Sequence, residues 1–587
     1  MAVIGKKKNV AEIVIDKRLI RIIAPLVLDT NISVQHAAVG ALRNISLSDP
    51  SICDHMVEQD IFTPLNKLLR QFQETDWQLG KKAGNRIDSK SEIFIEAINL
   101  LWNLCEANET IVNISLEQDL LTVLVKHLTV EKYGYQVVTT VLQCIYTLSE
   151  CKERHLNLFK NFEHVFKSLL VKNALSPEDL HVKILAFGIA ANLLEARNES
   201  MEPMISELMN ALSNTLDQDQ RKIVHDYSSS IPISEEVASD QMDQDQRDVP
   251  RHEHIRREID HVVLGQQMAL EILANLCCGE VNEWEEASHS EESDDDTEES
   301  AMKEEDMALE PSNMSSILLE AIKAHDILEK VLYKAKLPAD NVQEILMSSI
   351  GLQHDGSMVL QMLQTLQSKA FLCLNNLIEY VPIEDLGGED KLFQVWKDLG
   401  SLSLSANSEQ VIESATSAMR ASTQKLLPSK ILHQIGGQEV DQLAEYGAKH
   451  KNASIRTNVV AILGTIGQSI AAQLETTSQA GPLHLTISMF LLEAASRDVE
   501  LRVVAEALDK LFDMFSEDFT DELCAQVQVV QRLKQLQPGL KVKINMNRKN
   551  QKSDPDTHAM AVMAKTNLTR FIKYKDQRYK KSQNGNH

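Results

Sequence analysis

One short pattern returns along this chain at a nearly constant interval, and it limits the possible fold more than any other feature. An apolar pair, a variable position that is often Asn, and then Leu or Ile appear as ALRNI (41–45), LLWNL (100–104), CIYTL (144–148), IAANL (189–193), ILANL (272–276) and CLNNL (373–377). Weaker copies are AMRAS (418–422), ILGTI (462–466) and ALDKL (507–511). Between successive copies the spacing is 59, 44, 45, 83, 101, 45, 44 and 45 residues. Five of these eight intervals fall at 44–45, inside the roughly 40–47 residues of armadillo and HEAT units. Each such unit is two or three helices whose apolar face is buried only against the next unit. An all-α armadillo/HEAT-repeat solenoid, a superhelix with a long acidic loop, is the expected fold. With 21 glycines and 14 prolines among 587 residues, the chain also lacks the turn formers of an all-β fold.

The intervals that break the period mark insertions. The 59 contains the polar stretch at 74–90, and the 83 and 101 contain longer polar sequence. Residues 217–250 show no sustained apolar period and read as a mobile insertion. The expected organisation is armadillo-like repeats over 1–215, a flexible polar insertion over 216–254 and bridging repeat helices over 255–282. An acidic disordered loop follows over 283–316, then HEAT-like repeats over 317–536 and a basic segment with a capping helix over 537–587. Local punctuation fits helices. Asp29 precedes the amphipathic run from Ile32, Ser176-Pro177-Glu178 has the order of an N-cap, and Gly387-Gly388 reads as a stop.

Charge divides the protein into three objects. The formal net charge is −26; residues 283–310 carry −13 of it, residues 532–587 carry +11, and the remainder carries −24. An acidic body disfavours direct nucleic-acid binding and favours basic partners. The eight cysteines have no disulfide-framework spacing, and no secretory signal or membrane-length apolar run is visible, so a reduced, soluble protein of cytoplasm or nucleus is expected.

Catalytic chemistry finds no footing. There is no phosphate-binding loop, no HExxH and no paired CxxC. His252 and His254 would lie about 200° apart on a helix, and a solvated insertion is the plainer reading. The adjacent Cys277 and Cys278 read as core fillers. No enzyme, cofactor or metal is expected.

The repeated amide is more informative. Asn44, Asn103, Asn192, Asn275 and Asn376 share one register, and Thr147 takes it in another copy. Three residues later stand Glu106, Glu150, Glu195 and Glu379. Amides able to pair with a peptide backbone, with carboxylates one turn along, would line a groove for Lys/Arg-rich segments. The alternative is that these are polar residues ending each helix. Import carriers that read classical signals place Trp one turn before this Asn. Here Gly40, Asn99, Gly188, Glu271 and Leu372 stand there, while Trp102 is beside Asn103 and about 100° away.

The acidic run, with Trp284, Glu285, Glu286, Glu291, Glu292, Asp294, Asp295, Asp296, Glu298 and Glu299, is either a tethered polyanion that covers the RNA-binding face of a basic protein or a solvated spacer. Its serines could take phosphate. The tail, KVKINMNRKN (541–550) and NLTRFIKYKDQRYKK (567–581), either touches RNA or a transport receptor or forms a capping helix with Phe571 and Ile572 inward.

These residues resemble the symportin family. The likeness rests on GALRNISLSDPSICDHMVEQDIFTPL (40–65), LLWNLCEA (100–107), ALEILANLCCGEVNEWEE (269–286), KAFLCLNNL (369–377), LGG (386–388), NVVAILGTIG (458–467), EALDKLFDMF (506–515) and NLTRFIKY (567–574). It runs in order over almost the whole chain. It implies a shuttling, monomeric adaptor and chaperone for the basic ribosomal proteins that accompany 5S RNA into the large subunit. Such an adaptor shields their RNA-binding surfaces and supports nuclear import with a receptor. Residues carried over are Asn44, Trp102, Asn103, Asn275 and the acidic run from Trp284. The family's import signal ends in Pro-Tyr, a pair this sequence does not contain, so the extension is absent here or the receptor docks elsewhere. The competing expectation is a general repeat scaffold in trafficking or ubiquitin transfer.

Overall fold

The computed structural model describes residues 10–48, 50–78, 89–150, 155–231, 245–278, 314–348, 353–477, 481–548 and 555–584. Among them every regular element is a helix, and the protein is an all-α repeat solenoid. No helix among the described residues is long and apolar enough to cross a membrane. Two compact units are formed, one from residues 1–272, 320–330 and 337–366, the other from 273–319, 331–336 and 367–587.

In the first unit each motif copy lies near the C-terminal end of a long helix. These are α1 (Ile32–Ser46), α2 (Ser89–Ala107), α3 (Val130–Ser149), α4 (Pro177–Glu195) and α5 (Asp245–Cys278), of which α5 contributes residues up to Ile272. Helices α1 to α4 stack each on the next. Their motif residues Leu42, Leu101, Ile145 and Ile189 are fully buried, so the 44–45-residue period is the period of this stack. Gly188 lets α4 come close to α3, because a Cβ there would meet the Tyr146 ring at 2.8 Å. Helix starts follow side-chain chemistry. Ser176 accepts from the Asp179 amide at 3.2 Å with Pro177 next in the chain. At α1 the cap is Asn31, which accepts from Ser33, while Asp29 accepts from the Asn31 amide.

Three sequence expectations change. The stretch 217–250 holds a helix over Gln220–Ser229, with Val224 and Tyr227 buried, and its last residues already belong to α5. Its apolar side is only two residues three apart, too few to show as a period. His252, Glu253 and His254 are helical rather than in a flexible insertion. Gly387, at φ 94°, caps the start of a helix over Gly388–Ser405 rather than ending one; the preceding helix, α6 (Gln353–Tyr380), stops before Pro382.

The second unit has a ladder of its own, built from the C-terminal part of α6, α7 (Glu409–Lys425) and α8 (Ala453–Ala471). Then come α9 (Pro482–Arg497), α10 (Leu501–Met514), α11 (Val529–Arg548) and α12 (Pro555–Asn584). Helices α7, α8, α10 and α12 pack in succession. Ser368 of α6 bonds Ser414 of α7 at 3.1 Å, and Arg456 of α8 grips Asp498 with two bonds at 2.8 and 2.9 Å. On α12, Phe571 and Ile572 are buried, with the Phe571 ring 5.1 Å from that of Phe512. Lys575 is fully buried, donating to Asp521 at 2.7 Å, and Arg578 reaches Asp518 at 2.8 Å. Part of the tail's positive charge is therefore neutralised inside the fold.

Two histidine sites sit in the first unit's core. Trp77 donates its indole N–H to His127 Nε2 at 3.2 Å, so Nδ1 carries the proton given to the Val123 carbonyl at 2.8 Å. Burial pulls the His127 imidazole down to about 4. His181 of α4 meets His261 of α5 with their Nδ1 atoms 3.3 Å apart, and burial and that neighbour pull His181 down to about 3. Unfolded, both titrate near 6.5, so the unfolded chain gains protons first as pH falls. Stability should hold above pH 6.5 and then decline toward pH 4, by up to about 1.4 kcal/mol per pH unit per histidine. His127→Gln should be less stable at pH 7 yet show a flatter urea-midpoint profile between pH 6.5 and 4; parallel profiles would refute the assignment.

Candidate functional site: the carboxylate cluster of the first unit

The register amides hold neighbouring repeats together, which differs from the expectation that they wait for a peptide. In the first unit Asn103 Nδ2 donates to Ser46 Oγ at 2.8 Å, and Asn192 Nδ2 donates to Ser149 Oγ at 2.9 Å. Each serine lies two residues beyond the register position of the preceding copy, Asn44 or Thr147, and donates in turn to a carbonyl of its own helix. The amide thus crosses from one motif helix to the one before it. Half-buried Asn103 and Asn192 need this partner, since an unsatisfied buried amide is costly. Asn44 is exposed, and its Oδ1 accepts from Arg43 at 3.1 Å. Trp102 is also a strut, donating its indole N–H to Thr147 at 3.0 Å.

The second unit repeats the device with other acceptors. Asn376 donates to the Ala274 carbonyl at 3.0 Å and to Cys278 Sγ at 2.9 Å; Asn275 is exposed. Asn458 of α8, outside the expected register, donates to Thr416 of α7 at 3.1 Å. Glu379 is exposed, its carbonyl accepting from Lys425 at 3.1 Å.

The glutamates one turn along behave differently from the amides. In the first unit Glu106, Glu150 and Glu195 project from the ends of α2, α3 and α4; each is exposed as a residue, but the Glu150 carboxyl itself is partly covered by its surroundings. A fourth carboxylate joins them. Glu271 of α5 accepts from the Tyr146 hydroxyl at 3.1 Å. The Glu150 carboxyl is held above the usual carboxylate range, by burial first and then by the charges of Glu271, Glu106 and Glu195. Burial and the Glu271, Glu150 and Glu195 charges likewise hold the Tyr146 phenol well above its ordinary value. Four helices therefore bring like charges close enough to oppose one another's ionisation. Such a cluster attracts cations, with Tyr146 beneath it as a donor. Glu271 was legible as the residue one turn before Asn275, but nothing in the spacing said that it faces Glu150. The acidic-run residues from Trp284 to Glu299 lie outside the described residues. No group of three or more His, Cys, Asp or Glu among the described residues is arranged to hold a metal ion.

Known proteins resemble the chain as a whole. The sequence profile described as SYO1-like, TPR repeats covers residues 316–579. HEAT repeat-containing protein 3 of Homo sapiens is 29% identical over 609 residues, spanning 95% of this chain and 87% of its own. Its Mus musculus counterpart is 28% identical with the same coverage. The resemblance read from the sequence is borne out, and the protein is a helical-repeat scaffold similar to these. Among solved structures, an engineered protein aligns over 94% of this chain and 98% of its own at TM-score 0.38 and 13% identity. A chain from a study titled as a phosphorylation switch between cadherin and beta-catenin aligns over 97% and 86% at TM-score 0.38 and 12% identity.

Two substitutions separate strut from site. Asn192→Ala should lower unfolding free energy by about 1–2 kcal/mol, since Ser149 Oγ loses its donor and the Tyr146 carbonyl one of its two. Glu150→Gln should leave the melting temperature equal or higher at pH 7, because a carboxyl held above its ordinary range destabilises the fold once ionised. A clear drop with Glu150→Gln would show that its charge is structural.

Proposed function

We propose that the protein is a non-enzymatic adaptor and chaperone that captures basic ribosomal proteins of the large subunit, the pair associated with 5S RNA. It covers their RNA-binding surfaces and accompanies them between cytoplasm and nucleus as a monomer, with an import receptor. The observation that carries this reading is the convergence of Glu106, Glu150, Glu195 and Glu271 from four helices, with Glu271 tied to Tyr146. A Lys/Arg-rich segment laid across the cluster would relieve its repulsion, so binding free energy comes from a strain already present in the free protein. Likeness to HEAT repeat-containing protein 3 and the SYO1-like profile supports the choice of client. The run over 283–310, at −13, would act as a second polyanion over the client's remaining basic surface.

The test measures affinity for a purified 5S-associated ribosomal protein against salt. Glu106→Lys, Glu150→Lys and Glu195→Lys together should weaken binding by at least about tenfold and flatten the salt dependence. Deleting 283–310 should leave the groove complex but expose the client to competing RNA. Unchanged affinity in the triple variant, or no preference for ribosomal clients over other basic proteins, would leave a general repeat scaffold in its place.

A further inference from the structure

Far along the chain from the carboxylate cluster, the second unit carries a cleft of opposite character, of about 470 Å³, between α9 and α11. One wall presents Met489, which is 42% exposed; the other presents Leu536 and Gly539. Two adjacent residues set the character of the α11 wall. Pro538 brings no N–H to α11, so the Lys534 carbonyl one turn earlier loses its helix partner, and Gly539 puts no side chain into the gap. A Cβ on Gly539 would meet nothing within 4 Å.

The rim is cationic. Arg532 is exposed and has no ion-pair partner among the described residues. Lys543 donates to the Asp498 carbonyl at 2.6 Å and also attracts the Asp498 carboxylate, and Arg497 pairs with Glu493, the one acid lining the cleft among the described residues. On α11, Arg532, Gly539 and Lys543 are seven and four residues apart, so they run along one helical stripe. A cationic, apolar-floored slot between two helices fits one class of occupant.

We propose that this cleft docks an acidic amphipathic helix of a separate protein. Its apolar ridge sits over Gly539 against Met489 and Leu536, and its carboxylates reach Arg532 and Lys543. Charge complementarity excludes the basic clients proposed for the first unit, so the two sites take partners of opposite sign. This inference goes beyond the client reading and does not depend on it.

The experiment uses the full chain and a fluorescein-labelled Leu/Glu amphipathic helical peptide of about four turns, with the Leu/Lys peptide as control, followed by anisotropy. Saturable binding of the Leu/Glu peptide is expected, about tenfold weaker in Arg532→Glu and abolished in Gly539→Trp, with unchanged thermal melts. No saturable binding, equal binding by both variants, or equal binding of the Leu/Lys peptide overturns the proposal. So does displacement of the probe by an added peptide of residues 281–310, which would assign the cleft to the chain's own acidic run. A dimer of the full chain that Gly539→Trp dissociates would assign it to a second copy and also overturn it.

Discussion

A helix that buries one face against its own repeat still has a second face to cover, and within α1 to α4, and again within α7, α8, α10 and α12, the cover is the next helix of the stack. That requirement makes polar groups at the contact expensive unless they are matched. Asn103 to Ser46, Asn192 to Ser149 and Asn376 to Cys278 are three solutions to one problem, with an amide donor meeting whatever acceptor ends the preceding helix. Apolar burial supplies most of the stacking energy. The amides add register, because each can be satisfied only when successive helices are aligned along their length.

Once the amides are consumed by stacking, the exposed polar chemistry of the register falls to the residues one turn further on. The fold determines what they do. In the first unit glutamates from α2, α3 and α4 converge and are joined by Glu271, so charge accumulates where helix ends meet. In the second unit the corresponding Glu379 lies near Lys425, and their opposite charges attract. The same sequence register therefore yields a cation-attracting cluster in one unit and a compensated surface in the other.

The repeat period and the Ser176-Pro177 helix start were readable in the residues, because both are local or periodic facts. Partner identity was not. Spacing within a helix fixes which side chains share a face, but not how far an adjacent helix is rotated, and that rotation decides whether Asn192 meets Ser149 or solvent. Glu271 escaped for the same reason: its neighbours Glu150 and Tyr146 are more than a hundred residues away in sequence. The helix at Gln220–Ser229 was hidden by brevity. The Trp77–His127 contact was hidden because Trp77 stands in a polar insertion with no repeat to predict its place.

Where the first unit uses a serine hydroxyl to receive the register amide, the second uses the thiol of Cys278, which is only half-buried. Sulfur is a softer and weaker acceptor than oxygen, and it can be alkylated or oxidised. Burial and the nearby Glu379 charge hold the Cys278 thiol up, so it stays in the protonated, weakly nucleophilic form that meets Asn376. One joint of the array is thereby closed on a soft, weakly directional acceptor, while its counterparts in the first unit close on oxygen.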